Sequence, residues 1–432
     1  MDLTKGVRSI TETEKQKKSK QITEDTDFLI RKIYKSDLRN LLKKCYQCAR
    51  CSGVCQISKV QKFTPSRIIQ MILEGFEDDI IKSGVLWDCL MCNSCLQMCP
   101  KDINFADIVR IARYKMRMLD IQNLDRSIAH KGIYTMMSEL MSQNNIKIER
   151  PLDWVLKGCK ISERGNILYY VGCLPFFGFE FENSTSIAES TLKLIYKLEK
   201  EPIVVLKEET CCGHDLYWGQ AKFEAFIDLA KKNVNKFEKA GVSTIITACA
   251  ECYRTFKIDY PNLFEDFNDK FEVKHIIEYI FDNWKQGKVQ FKKPNESNEA
   301  IHFTYHDPCR LSRYLPKENN IIEEVRELFY HLETIGYVFK EMEHNKKNSY
   351  CCGVNSWMNC NERSKALRYK RLSEAKAVGT KLITSCPKCR MHLNCLKKDY
   401  DEFASMEIID FSDFLCDITD IINSDNKIEV KG

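Results

Sequence analysis

"EETCCGHDLYWG" (208–219) and "NSYCCGVNSWMN" (348–359) each place two cysteines side by side and follow them with glycine. Neighbouring residues of extended backbone point to opposite faces, so the two thiols act together only where the chain turns sharply. Gly213 and Gly353 permit such a turn and let backbone approach a bulky group closely. Each motif sits inside a longer pattern. "NILYYVGC" (166–173) and "AIHFTYHDPC" (300–309) are β-rich runs that end in cysteine. After each Cys-Cys-Gly comes a helical stretch, 221–241 or 363–379. A short strand closing in C-x-x-C follows, "STIITACAEC" (243–252) or "TKLITSCPKC" (380–389). The apolar pieces "VKHIIEYIFD" and "IIDFSDFLCD" finish the two halves. Corresponding cysteines lie 136 to 140 residues apart, so this region is a duplication joined by a polar linker, 291–300.

Strands alternating with amphipathic helices predict an α/β lobe with a parallel sheet in each half, the two lobes related by a pseudo-twofold. Chemistry in such sheets collects at the carboxyl ends of the strands. All the repeated cysteines follow strand-like runs, which groups Cys173, Cys211, Cys212, Cys249 and Cys252 in one site. Cys309, Cys351, Cys352, Cys386 and Cys389 form the other. Cys249 and Cys252 also open a helix, where the N-terminal dipole favours thiolate. Five thiolates are one too many for a cubane or a tetrahedral zinc. A more open iron–sulfur cluster, with thiolates bridging two irons, uses the fifth. Zinc in one half, a vicinal disulfide and buried structural thiols are the competing accounts of these cysteines.

The N-terminal part carries a second pattern. Residues 45–55, "CYQCARCSGVC", and 89–99, "CLMCNSCLQMC", both read C-x-x-C-x-x-C-x-x-x-C, the spacing that wraps a [4Fe–4S] cubane. Three thiolates of each run converge on one cluster and the fourth crosses to the other. The expected sets are Cys45, Cys48, Cys51 and Cys99 for the first cubane, and Cys89, Cys92, Cys95 and Cys55 for the second. Pro100 follows Cys99, as the pattern expects, but Gln56 follows Cys55. Between the runs, Thr64 reads as a helix cap, Pro65 as the first helical position, and Gly84 as the end of the stretch. Ile68, Ile69, Ile72, Leu73 and Phe76 recur at helical spacing, and residues 104–119 are helical too. The module is therefore all-helical.

Composition bounds the rest. The chain has 432 residues, 22 cysteines and a formal net charge of +5, which makes no case for a nucleic-acid partner. Residues 1–44 hold twelve Lys/Arg against seven Asp/Glu, which reads as a solvated tail or a docking surface. The polar first twenty residues predict no secretory leader, and no run approaches the roughly 20 apolar residues of a membrane span. Cysteine-rich chains of this length without a leader use thiols as metal or redox groups, which places this one in the cytoplasm. Domains are expected at 41–120 (helical ferredoxin), 164–290 and 301–420 (the two lobes). A charged tail at 1–40, a helical linker at 121–163 and a tail at 421–432 complete the chain.

These motifs resemble the catalytic subunit of heterodisulfide reductase, in the form that fuses a helical two-cluster ferredoxin to paired cysteine-rich CCG domains. The resemblance covers residues 41 to 420. It implies a noncubane [4Fe–4S] cluster on each five-cysteine set, hence four clusters in all, and reductive cleavage of a disulfide or its reverse. It also implies an electron-donating partner, a flavoprotein or a b-type cytochrome, with any membrane contact, at the inner face, made through that partner. The chain itself shows no flavin or nicotinamide motif. His214 and His306 are the candidate proton donors. Lys388 and Arg390 are candidates for tuning a cluster or holding a substrate anion. Glu251 and Arg254 are expected to pair along their helix. Cys159, Cys360, Cys395 and Cys416 read as small buried hydrophobes. The alternative function is an electron-carrying component of a flavin dehydrogenase, as in glycolate oxidase or anaerobic glycerol-3-phosphate dehydrogenase. A zinc-structural scaffold is the third.

Overall fold

A computed structural model describes residues 37–121, 159–176, 185–199, 201–294, 300–316, 321–353 and 362–421. The charged N-terminal tail to residue 36, most of the expected linker, Cys360 and residues 422–432 lie outside them.

The first described part is all-helical. Arg50–Val54 and Ser94–Gln97 are short helices, one inside each four-cysteine run. Each follows the same backbone rhythm: Gln47 and Ala49 (φ 60° and 60°), like Met91 and Asn93 (φ 51° and 61°), adopt left-handed conformations. Such a conformation costs a non-glycine residue about 1 kcal/mol. Here it folds each C-x-x-C-x-x-C into a loop that turns its thiols inward. The stretch between the runs is not one helix. It forms Pro65–Leu73 and Glu77–Lys82, broken at Gly75, whose φ is 99°. Phe76 falls in the break and is exposed, away from the apolar face expected of it. Thr64 begins the first of these helices but makes no side-chain cap. The Ser52 hydroxyl, from the first cysteine run, accepts the Ser66 N–H at 2.9 Å instead. Phe105–Met118 is helical as read, capped by Asn104.

Two parallel sheets follow, and they repeat the same topology. The first contains β1 (Ile161–Ser162), β2 (Ile167–Tyr169), β3 (Ile203–Val204), β4 (Thr244–Thr247) and β5 (Glu272–His275), in the order β1-β3-β2-β4-β5. After β6 (Val289–Phe291), the second contains β7 (His302–His306), β8 (Val338–Phe339), β9 (Lys381–Thr384) and β10 (Glu407–Asp410), in the order β10-β9-β7-β8. Strands β2, β3, β4 and β5 correspond to β7, β8, β9 and β10, and every pairing within both sheets is parallel. In each, the chain leaves the central strand for one neighbour and returns on the other side. This reversal opens a crevice at the carboxyl ends.

The halves are laced together. Helix Phe411–Ile418, which closes the second half, packs on Ser186–Leu198 of the first, where Thr191 and Ser412 share a hydrogen bond of 2.9 Å. Reciprocally, Ile276–Lys285, which closes the first, packs on Ile322–Thr334 of the second. Strand β11 (Thr419–Ile421) pairs antiparallel with β6, so Phe291, read as linker, is part of a clasp between the ends of the two halves. One hydrophobic core runs through both lobes.

The helical module is pinned to the lobes by a buried arginine. Arg113 donates to the carbonyls of Leu86, Trp87 and Cys89 in its own module and to those of Trp218 and Gly219 in the first lobe. Burial lowers this guanidinium to about 10, still charged near neutral pH. Arg113→Met leaves five buried carbonyls short of a donor, so chemical denaturation is expected to show a loss of about 3 kcal/mol. A loss below about 1 kcal/mol would mean that other contacts hold the junction.

Candidate functional site

The two N-terminal cysteine runs interleave. Cys45, Cys48, Cys51 and Cys99 border one cavity, with Ile69, Ile103 and Phe105; Cys95 stands at its edge and borders the second cavity too. Cys55, Cys89, Cys92 and Cys95 border a second, with Gln56, Ile57 and Phe63. The fourth cysteine of each run thus stands in the other run's group. Burial pushes the Cys89 thiol up to about 12 and that of Cys95 well above its ordinary range. Thiols in such a dry setting become thiolates when they bind a cation, and four of them around an apolar-walled cavity fit a cubane. Backbone donors already point at sulfur, from Met91 to Cys89 and from Ile103 to Cys99, each at 3.4 Å. Cys48 is exposed, whereas Cys55, Cys89, Cys92 and Cys95 are all half-buried, so the first cavity lies nearer to solvent than the second.

The ten cysteines of the repeats form one continuous row. Thiol contacts run from Cys173 to Cys211, Cys212, Cys252 and Cys249. Cys249 touches Cys386 of the second half, and the row continues through Cys389 and Cys352 (3.1 Å between sulfurs) to Cys351 and Cys309. The pseudo-twofold passes between Cys249 and Cys386. Each occupies the cap position of a helix, Ala250–Arg254 or Pro387–Lys397. The thiols hold charge cooperatively. Cys351 pulls Cys309 down to about 6, and Cys249 with Cys389 does the same for Cys386. Cys211 and Cys252 bring Cys212 to about 7. Their neighbours Cys173, Cys211, Cys249, Cys252, Cys351 and Cys389 are pushed up, by sharing a proton with the next sulfur and by burial, so the row is a set of coupled thiols, and sulfurs this close fit a metal centre.

The Cys-Cys-Gly turns are held from behind. Gly213 and Gly353 have φ of 85° and 81°, and each N–H points to the first cysteine's sulfur at 3.4 Å. Asn233 donates to the Cys211 carbonyl at 2.8 Å and His392 to that of Cys352 at 2.8 Å. The buried Glu209 carboxylate accepts from the N–H groups of Val171 and Gly172, both at 2.9 Å, and so ties the Cys173 loop to the Cys211 loop. In the second half Asp307 accepts from the Lys346 N–H at 2.7 Å and pairs with the buried Arg326.

The flanking charges differ from the sequence expectation. Glu251 does not pair with Arg254, because that guanidinium bonds Asp259. Glu251 instead meets Lys388 of the other half at 2.7 Å, and Lys388 also bonds Asp215. Burial pushes the Glu251 carboxyl up, and the Lys388 ammonium beside it pulls it back down. Lys388 is thus a buried tie between the repeats, its charge taken up by two carboxylates. Arg390 meets Ser186 at 3.2 Å and Asp413 at 3.4 Å, on the lobe junction and away from the cysteine row. Both histidines are deeply buried, and burial depresses both imidazoles, so they are neutral near pH 7. His306 accepts from Arg371 Nε at Nδ1 (3.0 Å), which puts its proton on Nε2. A ring nitrogen lies within 4.8 Å of the Cys352 and Cys389 sulfurs. His214 shares a hydrogen bond of 3.0 Å with Thr255, and its Nε2 lies 3.8 Å from Glu251. Of the four remaining cysteines, Cys416 is buried, and Cys159 and Cys395 are half-buried.

Sequence reasoning passed over Gln56. Its side-chain oxygen accepts the Cys351 N–H at 3.1 Å, which joins the inner N-terminal cavity to the second cysteine set. Arg313 reinforces the joint, donating to the Cys92 carbonyl at 2.7 Å and the Ser349 carbonyl at 2.8 Å. Tyr314 donates to the Met91 carbonyl at 2.7 Å. The one hint in the sequence was the glutamine where proline was expected.

Family models match at these positions: a 4Fe-4S dicluster domain at residues 41–103, and a cysteine-rich CCG domain twice, at 167–257 and 303–394. The chain therefore joins a dicluster ferredoxin module to two CCG domains, as an iron–sulfur oxidoreductase component. Its dicluster and CCG domains bind [4Fe–4S] clusters. A component of the dihydromethanophenazine:CoB–CoM heterodisulfide reductase of Methanosarcina mazei is 28% identical over 344 residues, 78% of this chain and 77% of the relative. A component of the CoM/CoB fumarate reductase of Methanothermobacter marburgensis is 26% identical over 82% of this chain and 67% of its own. EtfAB:quinone oxidoreductase of Syntrophomonas wolfei is 24% identical over 72% of this chain and 43% of its own.

The CCG turns themselves make a test. A Cβ on Gly213 would stand 2.7 Å from Phe226, whereas among the described residues one on Gly353 comes no nearer than 3.9 Å, to His392. Gly353→Ala carries the left-handed backbone penalty of about 1 kcal/mol. Gly213→Ala adds overpacking of about 1–3 kcal/mol. Denaturation of the two variants should rank Gly213→Ala as clearly the less stable, and equal losses would contradict this account of the turns.

Proposed function

We propose that the chain carries two cubane clusters in the dicluster domain and one noncubane cluster on each CCG set, and that it cleaves a disulfide bound between the lobes. The observation that carries this reading is the unbroken row of ten thiols meeting at Cys249 and Cys386. Two separate structural zinc sites would not need their ligands in mutual contact across the pseudo-twofold. Clusters so held would supply single electrons and iron as a Lewis acid for a departing thiolate.

The chain's own residues do the rest. Val171, Gly172, Leu174 and Pro175 wall the cavity beside the first set and limit water there. Lys388 fixes the spacing of the two sets by bonding Asp215 and Glu251 across the lobe junction. Neutral His306, oriented by Arg371, offers an Nε2 proton to sulfur at the second set, and His214 stands near Glu251 at the first. Gln56, Arg313 and Tyr314 hold the inner dicluster cavity against the second set, which makes the dicluster domain the entry for electrons. An external electron donor, a flavoprotein or a b-type cytochrome, would deliver them near the exposed Cys48. Among the described residues no helix is long and apolar enough to cross a membrane. We place the chain in the cytoplasm, at a membrane only through its donor. A second reading, an electron carrier without disulfide chemistry, draws on the relative named EtfAB:quinone oxidoreductase.

Anaerobic purification with iron analysis and EPR separates these readings. The protein should hold about sixteen irons, and Cys352→Ala should lose about four of them together with disulfide turnover driven by reduced methyl viologen. Undiminished turnover in Cys352→Ala would refute the paired mechanism. A full iron count with no turnover and no thiol-dependent EPR signal would establish the carrier.

A further inference from the structure

Arg310 follows Cys309, and only 2% of it is exposed. All three nitrogens of its guanidinium are buried without a well-formed hydrogen bond, although the Tyr314 hydroxyl and the Cys309 thiol lie near enough to attract it. A buried ion without partners costs several kcal/mol, so folded proteins keep one only where something answers it. The surroundings are built to hold a planar cation. The guanidinium carbon lies 4.1 Å from the Tyr314 ring centre and 5.1 Å from that of Trp218. Arg254, from the first lobe, reaches the same two rings at 5.3 and 4.3 Å, and its Nε is likewise unpaired. Two guanidinium groups, one from each lobe, therefore share one aromatic wall. Arg254 is answered by Asp259, but Arg310 has no carboxylate bonded to it.

The position lies between the cysteine sets. Arg310 acts electrostatically on His214 and feels Glu251, both of which border the cavity beside the first set, while its own neighbour Cys309 belongs to the second. The other cation there is engaged: Lys388 is held by Asp215 and Glu251. Nor does a five-cysteine set need a guanidinium at this point. The residue after Cys173, the counterpart of Arg310 in the first half, is Leu174. We propose that Arg310, with Arg254 beside it on Trp218 and Tyr314, is the receptor for a compact anionic group, a carboxylate, sulfonate or phosphate, on the thiol or disulfide that the lobes bind. This rests on the disulfide-cleaving reading and names a substrate feature within it. Arg310 is the specificity residue: its five N–H donors match a two-oxygen anion, whereas an uncharged substrate leaves the guanidinium unanswered.

The experiment uses the iron-loaded full chain and two disulfides that differ in charge, 3,3′-dithiodipropionate and bis(2-hydroxyethyl) disulfide, with methyl viologen as reductant. Arg310→Gln should raise KM for the dianion about thirty-fold, change kcat little, and leave KM for the neutral disulfide unchanged. Arg310→Lys should fall between. Iron content and the EPR spectrum without disulfide should match the parent. Equal losses with both disulfides overturn the proposal. So does a shifted cluster spectrum or potential with the charge preference intact, because Arg310 would then serve the cluster. If Arg310→Gln fails to assemble, Arg310→Lys carries the test through the same ratio of KM values. Calorimetric binding of the dianion to the oxidised protein gives a readout independent of turnover. A fully loaded parent that reduces neither disulfide defeats the disulfide-cleaving reading. Binding of the dianion that is present in the parent and lost in Arg310→Gln still upholds the anion site, and equal binding by both overturns it.

Discussion

The contact between Cys249 and Cys386 is the constraint on which the rest of the molecule depends. Two sulfurs meet there at the heads of two helices, one from each lobe. Helix heads repel one another but favour anions, so the junction is stable with thiolate or metal-bound sulfur between them. The backbone around it is fixed by short-range means. His275, which ends β5 and caps the following helix, is fully buried close to Ala248 and Ser385, the residues before the two cysteines. The exchanged helices and the β6–β11 clasp keep the lobes from drifting apart.

The charges around the row show how a duplicated fold becomes asymmetric. Glu251 and Lys388 stand at the same place in their C-x-x-C motifs, third of four. A symmetric pair at that place would set like charges against each other across the axis. Opposite charges give a buried bridge, which adds little net stability because desolvation offsets much of the attraction. Its value lies in register: either partner alone would be a buried unpaired charge, so the lobes are held to one arrangement. The same divergence put leucine after Cys173 and arginine after Cys309.

Much of this was legible in the sequence. The spacing of the cysteines announced a dicluster domain, and the repeat announced two parallel sheets of one topology. The misses share one cause, that sequence reasoning sees neighbours along the chain. Glu251 was matched with Arg254 three residues away, but its partner is Lys388, in the other half. Thr64 has the right chemistry for a cap, but Ser52 arrives from the other side of the cluster loop. Gly75 broke a helix whose apolar spacing ran on past it. Gln56 looked like a lapse from a motif and proved to be a bond to the second lobe. Arg310 is one of many basic residues by composition, and only its burial sets it apart.

The exchange of closing helices also bears on history. A lone ancestral repeat would have displayed an uncovered apolar helix and half of a thiol row. It could have folded to completion only by embracing a second copy of itself, each lending its last helix to the other. Fusion of two such copies would free their loops to drift independently, so the two ends of the crevice need no longer be alike.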